Sequence, residues 1–260
     1  MPDLYRTAWE RLRIDRERCS DIDPECTPVL AFGDWRTARI ATAGLNPSED
    51  EFWTKPTASA GRQPLVDTRQ RFLHWGDGTL TDDRLREAVR RMEGYFTLGN
   101  AYSLWFDRYK AFLHALGTPF ESGLACHTDY VSPFATKVGI SKCCPATQRL
   151  LPEFGEQVWL NVLDNCPRLE VVFGHGRGWH RVPKLFTGHS GWEHVPTPFD
   201  SKGGKSAGQH LIRSSGVLPS GRRVAIWWWR PNRNGSPLCY LTASEGAVVG
   251  TVLKSTLESR

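Results

Sequence analysis

The spacing of apolar residues predicts five helices along the chain. They are expected over residues 4–19, 81–95, 103–117, 147–165 and 244–257. Thr81 and Ser103 are residue types that cap helix N-termini, and Gly117 is the type that closes a helix C-terminus. The pattern therefore predicts a chain with several helices, and the segments between them do not have helical spacing.

Those intervening segments contain short apolar runs that predict strands. The runs cover residues 39–43 (RIATA), 123–130 and 169–173 (LEVVF), and residues 210–229 resemble a hairpin. Gly174 is expected to stop the third run, and Pro219, Ser220 and Gly221 are expected to form the hairpin turn. Because strands alternate with helices, we expect a mostly parallel sheet covered on both faces.

This alternation places the chain in the α/β class, as a three-layer α/β/α sandwich. A length of 260 residues suits one large domain better than two small ones. Within that single domain, residues 1–36 are expected to form an N-terminal helix and lead-in, and residues 240–260 contain the C-terminal helix. The irregular, long segment 49–77 is of the kind that usually serves function.

In sheets of this kind, ligands bind beyond the carboxyl ends of the strands. Four segments follow predicted strands and are therefore where chemistry is expected: residues 44–48, 129–133, 174–178 and 230–234.

Charge is distributed unevenly, although the net value is only +5. Residues 201–244 contain no Asp or Glu, and seven basic residues lie there: Lys202, Lys205, Arg213, Arg222, Arg223, Arg230 and Arg233. A surface of one sign attracts polyanions, and phosphate neutralisation supplies most non-specific affinity for nucleic acid. A solvated basic face without a partner is the alternative. Most of the eleven tryptophans are expected in the core.

Other classes of protein are disfavoured by the sequence. No stretch approaches the roughly 18 apolar residues of a membrane span, and the charged N-terminus is unlike a secretory signal. Seven cysteines, an odd number, favour reduced thiols and a cytoplasmic location. No Cys-x-x-Cys pair occurs, so neither an iron–sulfur cluster nor another metal site is expected. Cys143 and Cys144 are interpreted as structural, on opposite faces of a strand.

The ordered segments after the strands resemble the uracil-DNA glycosylase superfamily. Residues 43–48 (AGLNPS) are similar to its Gly-x-Asn-Pro motif, a second strand ends in Thr128-Asp129-Tyr130, a third ends in glycine, and a fourth leads into an X-Pro pair. The likeness covers roughly residues 38–235 in four short islands. It implies the superfamily's fold and a monomeric enzyme that needs no cofactor, binds double-stranded DNA and flips out one base.

The resemblance also implies catalytic roles. Asn46 would hold the water that attacks the sugar, although an Asn before Pro is also an ordinary turn former. The family's second motif usually begins His-Pro, and here Arg230-Pro231 stands in that place. Arg230 would place a fixed positive charge near the departing base or a phosphate, or it is a surface arginine in a DNA-facing loop.

A base-binding pocket is expected around the first motif. Gly44 and Leu45 belong to the motif, and Tyr130 follows the second strand. Phe52 and Trp53 lie where relatives keep an aromatic residue that stacks on the flipped base, or else they pack beneath the long loop.

Two positions bear on the identity of that base. Asp129 stands where family members read uracil with an Asn; a carboxylate only accepts hydrogen bonds and so suits the N4 amino group of cytosine. Ser48 replaces a bulky Tyr of the uracil-strict branch and leaves room at C5. Asp129 could equally be a buried structural or helix-capping carboxylate.

These observations predict a DNA glycosylase for a C5-substituted cytosine of phage DNA (hydroxymethylated or glucosylated), similar to an antiviral prokaryotic branch. DNA contacts are expected from Ser132, Lys202, Lys205, Arg222, Arg223, Asn232 and Arg233. The alternatives are a repair glycosylase for uracil or deaminated bases, a nucleic-acid-binding relative without catalysis, and a small-nucleotide hydrolase with a chance Gly-x-Asn-Pro.

Overall fold

The computed structural model describes residues 1–23, 25–53, 78–97, 101–199, 210–230 and 242–258. These contain the helices α1 (Pro2–Arg18), α2 (Asp82–Glu93), α3 (Ser103–Leu116), α4 (Pro145–Asp164) and α5 (Ala243–Glu258). They also contain the strands β1 (Ile40–Gly44), β2 (Ala125–Asp129), β3 (Val171–His175), β4 (Glu193–Val195), β5 (Leu211–Val217) and β6 (Arg223–Trp229).

The strands form one six-stranded mixed sheet with the order β2-β1-β3-β6-β5-β4. Neighbours β1 and β3 are parallel, with Ala43 opposite Gly174, and β3 and β6 are parallel as well. Strands β6 and β5 form an antiparallel hairpin, and β4 extends the sheet antiparallel to β5. The expected α/β class is confirmed, and the three-layer arrangement stays a prediction.

Local signals in the sequence account for most of these elements. Thr81 caps α2, since its hydroxyl accepts a hydrogen bond from the backbone N–H of Arg84 at 3.2 Å. Asp82 and Asp83 lie in the first turn of α2 and complement the helix dipole. Leu211 opens the hairpin opposite Trp229, as the apolar pattern of residues 210–229 predicts.

Three expectations about the elements were wrong in detail, and one strand was not predicted. Strand β3 does not stop at Gly174 but continues to His175, and α3 begins at Ser103 instead of after it. Cys143 and Cys144 do not lie on a strand: they precede α4, one buried and the other exposed. The three-residue strand β4 was not predicted, because so short a segment shows no periodicity.

The chain divides into two compact units, each assembled from three stretches of sequence. The first unit comprises Met1–Trp35, Gly44–Tyr102 and His127–Asn165, and the second comprises Arg36–Ala43, Ser103–Cys126 and Cys166–Arg260. That the chain is a single domain stays a prediction. The first unit buries Tyr5, Trp9 and Trp159 completely or nearly so, the last with its indole N–H donating to Thr128 Oγ1 at 2.8 Å.

The second unit has a core in which α3 packs on α5. A Cβ atom at Gly250 of α5 would lie 2.3 Å from the backbone oxygen of Phe112, so only glycine permits this approach. The Phe112 ring in turn stacks on Phe173 of β3, with ring centroids 4.1 Å apart. Trp227 and Trp228 of β6 are also buried, in agreement with the expectation that most tryptophans serve the core.

Candidate functional site

The segment after β1 is hydrogen-bonded to the segment after β2, within the first unit. The N–H of Tyr130 donates to Gly44 O at 3.0 Å, and the N–H groups of Val131 and Ser132 both donate to Leu45 O, at 3.0 and 3.1 Å. The sequence predicted that both segments carry chemistry. The structure brings these two together through backbone hydrogen bonds that do not depend on their side chains.

Asn46 has a side-chain amide of fixed orientation. Its Nδ2 donates to Thr136 Oγ1 at 3.1 Å and to the backbone oxygens of Pro47 and Phe134 at 3.0 and 3.4 Å. Carbonyl oxygens only accept hydrogen bonds, so the amide nitrogen must face them and Oδ1 must face away. Among the described residues none donates to Oδ1, which leaves an acceptor on a half-buried side chain.

Thr136 is a residue of this site that sequence reasoning missed. It is buried, and its hydroxyl donates to Val138 O at 2.6 Å. Because that donation uses the only hydroxyl proton, Thr136 Oγ1 can only accept from Asn46. The result is a directed chain from Asn46 through Thr136 to a backbone oxygen. Nothing in the sequence pattern singles out Thr136, which lies 90 residues from Asn46.

Asp129 lies at the end of β2 with its side chain buried to all but 3 %. Its Oδ1 is 3.4 Å from Nε2 of His127, which is also buried. A Cβ atom at Gly44 would lie 2.3 Å from Asp129 Oδ1 and 2.7 Å from His127 Nε2. The glycine of the Gly-x-Asn-Pro segment is therefore required so that both side chains can approach the β1 backbone.

The second carboxylate oxygen of Asp129 is buried and receives no hydrogen bond from any residue in the described part of the chain. Leaving a buried acceptor unsatisfied costs about 1–3 kcal/mol, and more when the group is charged. A ligand that donates a hydrogen bond to Oδ2 would recover this free energy.

The aromatic residues of the expected base-binding pocket are mostly buried against other parts of the protein. Phe52 is fully buried, so its ring offers no open face in the free chain. Trp53 is half-buried, and its indole N–H donates to Asp23 Oδ2 at 2.9 Å. Tyr130 is buried with its ring edge-on to Trp159 at 5.9 Å. Of the two residues expected to stack on the base, Phe52 is buried and Trp53 is half-buried.

The remaining small and polar residues of the first unit have local structural partners. The Ser48 hydroxyl accepts from the N–H of Asp50 at 3.2 Å and caps the short turn Glu49–Glu51. Ser132 is buried, and its hydroxyl accepts from the N–H of Phe134 at 3.0 Å, which orients that hydroxyl toward the protein. Leu45 exposes 47 % of its surface beside Asn46, an unusual position for a leucine.

Three of the expected DNA-binding and catalytic residues are described in the second unit. Arg230 is half-buried, its N–H donates to His210 O at 2.7 Å, and burial lowers the pKa of its guanidinium. Arg222 donates from Nη1 to the backbone oxygens of Cys166 and Leu169 at 2.6 and 3.4 Å, which is a structural task. The Arg223 side chain donates to Ser215 Oγ at 3.0 Å from an exposed position.

Several predicted features lie outside the described residues. These are Lys202, Lys205, Asn232, Arg233, residues 54–77 of the long segment after the first motif, and residues 201–209 of the Gly/Lys-rich segment.

Comparisons with known proteins give no family for this chain. No protein-family model matches it, and no curated protein is similar to it at a significant level. Within the described ranges, no helix has the length and apolar character of a membrane span, and no group of three or more His, Cys, Asp or Glu side chains is placed to hold a metal. The described cysteines, which exclude Cys239, form no disulfide with one another.

Proposed function

We propose that this chain is a DNA glycosylase that hydrolyses the N-glycosidic bond of a C5-substituted cytosine and leaves an abasic site. The observation that carries the proposal is the buried Asp129 carboxylate, whose Oδ2 accepts nothing from the described residues. Asp129 ends the strand β2, and the residues that follow it are hydrogen-bonded through their backbone to the turn that contains Asn46. The group proposed to read the base and the group proposed to bind the water thus belong to hydrogen-bonded segments of the first unit.

Asn46 would act on the attacking water. Breaking an N-glycosidic bond builds positive charge on the sugar, so the water needs an acceptor that orients it toward C1′ and not a strong base. The Oδ1 atom of Asn46 is such an acceptor, and the three contacts of Nδ2 keep it pointing away from the protein backbone. Preorganised polar groups of this kind do not have to reorganise during the reaction.

Asp129 would read the base. The flipped base must be recognised by hydrogen bonds to its Watson–Crick edge, and cytosine presents an N4 amino donor where uracil presents O4. A carboxylate oxygen accepts from the amino group and is repelled by O4. The small Ser48 supports a substituent at C5, and bases of that kind occur in phage genomes as hydroxymethylcytosine and its glucosylated forms. Antiviral defence is therefore the proposed role.

Double-stranded DNA is the proposed partner, bound by a monomer. The acid-free stretch from Ser201 to Ser244 supports this through its seven basic residues and their long-range attraction for phosphates. Arg230 would contribute a positive charge near the leaving base or a neighbouring phosphate.

The test uses duplex oligonucleotides that carry one cytosine, 5-hydroxymethylcytosine, glucosylated hydroxymethylcytosine or uracil, incubated with the purified chain and then treated with alkali to cleave abasic sites. Excision of a modified cytosine supports the proposal. Excision of uracil alone identifies a repair enzyme, and DNA binding without excision of any base identifies a non-catalytic relative; either result overturns it. Asn161→Ala, at a half-buried asparagine of α4 in the first unit, is the matched control for Asn46→Ala, which should abolish excision.

A further inference from the structure

His127 is placed to control the hydrogen-bonding character of Asp129. The two residues are two positions apart on β2, and alternate residues of a strand point to the same face. Both side chains are buried, with Nε2 of His127 at 3.4 Å from Oδ1 of Asp129. We propose that His127 is a positioning residue that holds the Asp129 carboxylate with Oδ2 as the acceptor for the base, and so sets the preference for 4-amino over 4-oxo pyrimidines; this rests on the proposed function.

The imidazole ring is itself fixed in place. It makes an edge contact with the Phe32 ring, with centroids 5.4 Å apart, and the His127 backbone exchanges two hydrogen bonds with Phe32, at 2.8 and 2.9 Å. Gly44 packs against both side chains, since a methyl group at this position would overlap His127 and Asp129. The ring is therefore packed between Phe32 and Gly44, with its Nε2 beside the Asp129 carboxylate.

The chemistry of the contact decides which atom carries the proton. If Nε2 were unprotonated, its lone pair would face the lone pairs of a carboxylate oxygen, which is repulsive. With the proton on Nε2, the N–H can face Oδ1, in a polar contact that at 3.4 Å is longer than an ordinary hydrogen bond. Oδ2 of the carboxylate is then the oxygen that lacks a donor among the described residues.

A base whose edge reaches Oδ2 would meet a hydrogen-bond acceptor. The N4 amino group of cytosine can donate to it, whereas O4 of uracil or thymine opposes it. If the donor on His127 were lost, the carboxylate could rotate, and Oδ2 would no longer be held where the N4 amino group meets it. Removing the His127 N–H should therefore erode discrimination between the two bases without removing Asn46 or its water.

The experiment compares His127→Gln with His127→Met. The two side chains have the same length, but only Gln keeps an N–H that can reach Asp129. Single-turnover excision is measured on matched duplexes with a C5-substituted cytosine or the equivalent uracil, and the readout is the ratio of the two rates. His114→Gln, at an exposed histidine of α3, is the control.

We expect the cytosine-to-uracil ratio to fall about tenfold or more in His127→Met, and to stay within a few-fold of wild type in His127→Gln, because a base-edge contact is worth about 1–3 kcal/mol. In an Asp129→Asn background the Met substitution should no longer change the ratio. If His127→Met does not fold, His127→Asn, whose amide is too short to reach Asp129, replaces it.

Two results would overturn the inference and are distinguishable. An unchanged ratio in folded His127→Met, with both rates lowered equally or not at all, means that His127 is only structural and leaves the glycosylase proposal intact. No excision of either base by the wild-type chain refutes the glycosylase proposal and the role of His127 together.

Discussion

Asn46 and Thr136 are joined by a hydrogen bond whose direction is fixed at both ends. Nδ2 of Asn46 lies 3.1 Å from Thr136 Oγ1, and the Thr136 hydroxyl donates to Val138 O at 2.6 Å. The threonine therefore orients the amide that is proposed to hold the attacking water. This makes the orientation of Asn46, and not only its presence, a testable requirement for excision.

Thr136→Val removes the hydroxyl and preserves the shape of the side chain. We expect the rate of excision under single-turnover conditions to fall about 10- to 100-fold, since small errors in the position of a catalytic group cost up to two orders of magnitude. DNA affinity should be nearly unchanged. Thr136→Ser, which keeps the hydroxyl, should restore most of the rate. Equal losses in both variants would contradict an orienting role.

Asn46→Ala removes the proposed water-binding group itself. The expected loss of excision rate is on the order of 10²–10⁴, the range typical of a positioned polar catalytic group. Folding, monitored by circular dichroism, and DNA binding should be close to wild type. Wild-type turnover by this variant would exclude Asn46 from the mechanism, whatever the substrate proves to be.

Asp129→Asn exchanges one acceptor for a donor at the proposed base-reading position. Its amide oxygen can still turn toward N4, so excision of cytosine-type bases should weaken and not vanish. The amide N–H gains a contact with O4, so the preference should move toward uracil-type bases by about ten- to a hundredfold.

The measurement is single-turnover excision of matched C5-substituted cytosine and uracil substrates. If both rates fall together and the ratio is constant, Asp129 has a structural or directly catalytic task. The proposed cytosine-derived substrate would then rest on Ser48 alone.

Two adjacent arginines, Arg222 and Arg223, should behave differently. Arg222 donates to two backbone oxygens, so Arg222→Ala should lower the free energy of unfolding by about 1–3 kcal/mol. Arg223 is exposed, so Arg223→Ala should change stability by less than about 0.5 kcal/mol. Urea denaturation followed by tryptophan fluorescence measures both variants.

The same two variants separate structure from DNA binding. If Arg223 contacts a phosphate, Arg223→Ala should reduce the slope of log K against log salt concentration by about one unit. Arg222→Ala should leave that slope unchanged under conditions where it is folded. A reversed pattern would show that Arg222, despite its backbone contacts, is the residue that meets DNA.

Gly250→Ala should destabilise the packing of α5 on α3. The added methyl group would lie 2.3 Å from Phe112 O, so the helices must separate, at an expected cost of about 1–3 kcal/mol. Gly139→Ala, where nothing lies within 4 Å, is the control and should have little effect. A thermal midpoint equal to that of wild type in Gly250→Ala would show that the two helices adjust without cost.

The sequence by itself determined most elements of this protein. Caps such as Thr81, the helical spacing of α1 and α4, and the apolar runs of β1 and β6 are local signals, so they can be interpreted without knowledge of the rest of the chain. It also selected Asn46, which follows a buried strand, and Asp129, which ends one, because α/β proteins place their chemistry at the ends of strands.

Only the tertiary structure decided which side chains those two residues contact. The contact of Asn46 with Thr136 joins residues 90 positions apart, and the approach of His127 and Asp129 to Gly44 depends on how β2 lies against β1. The tertiary structure likewise places the Arg222 guanidinium against backbone oxygens 53 and 56 positions away. From its charge alone, Arg222 was predicted to contact DNA. Contacts of this kind leave no local pattern in the sequence, because they arise from the packing of distant segments and not from the propensities of neighbouring residues.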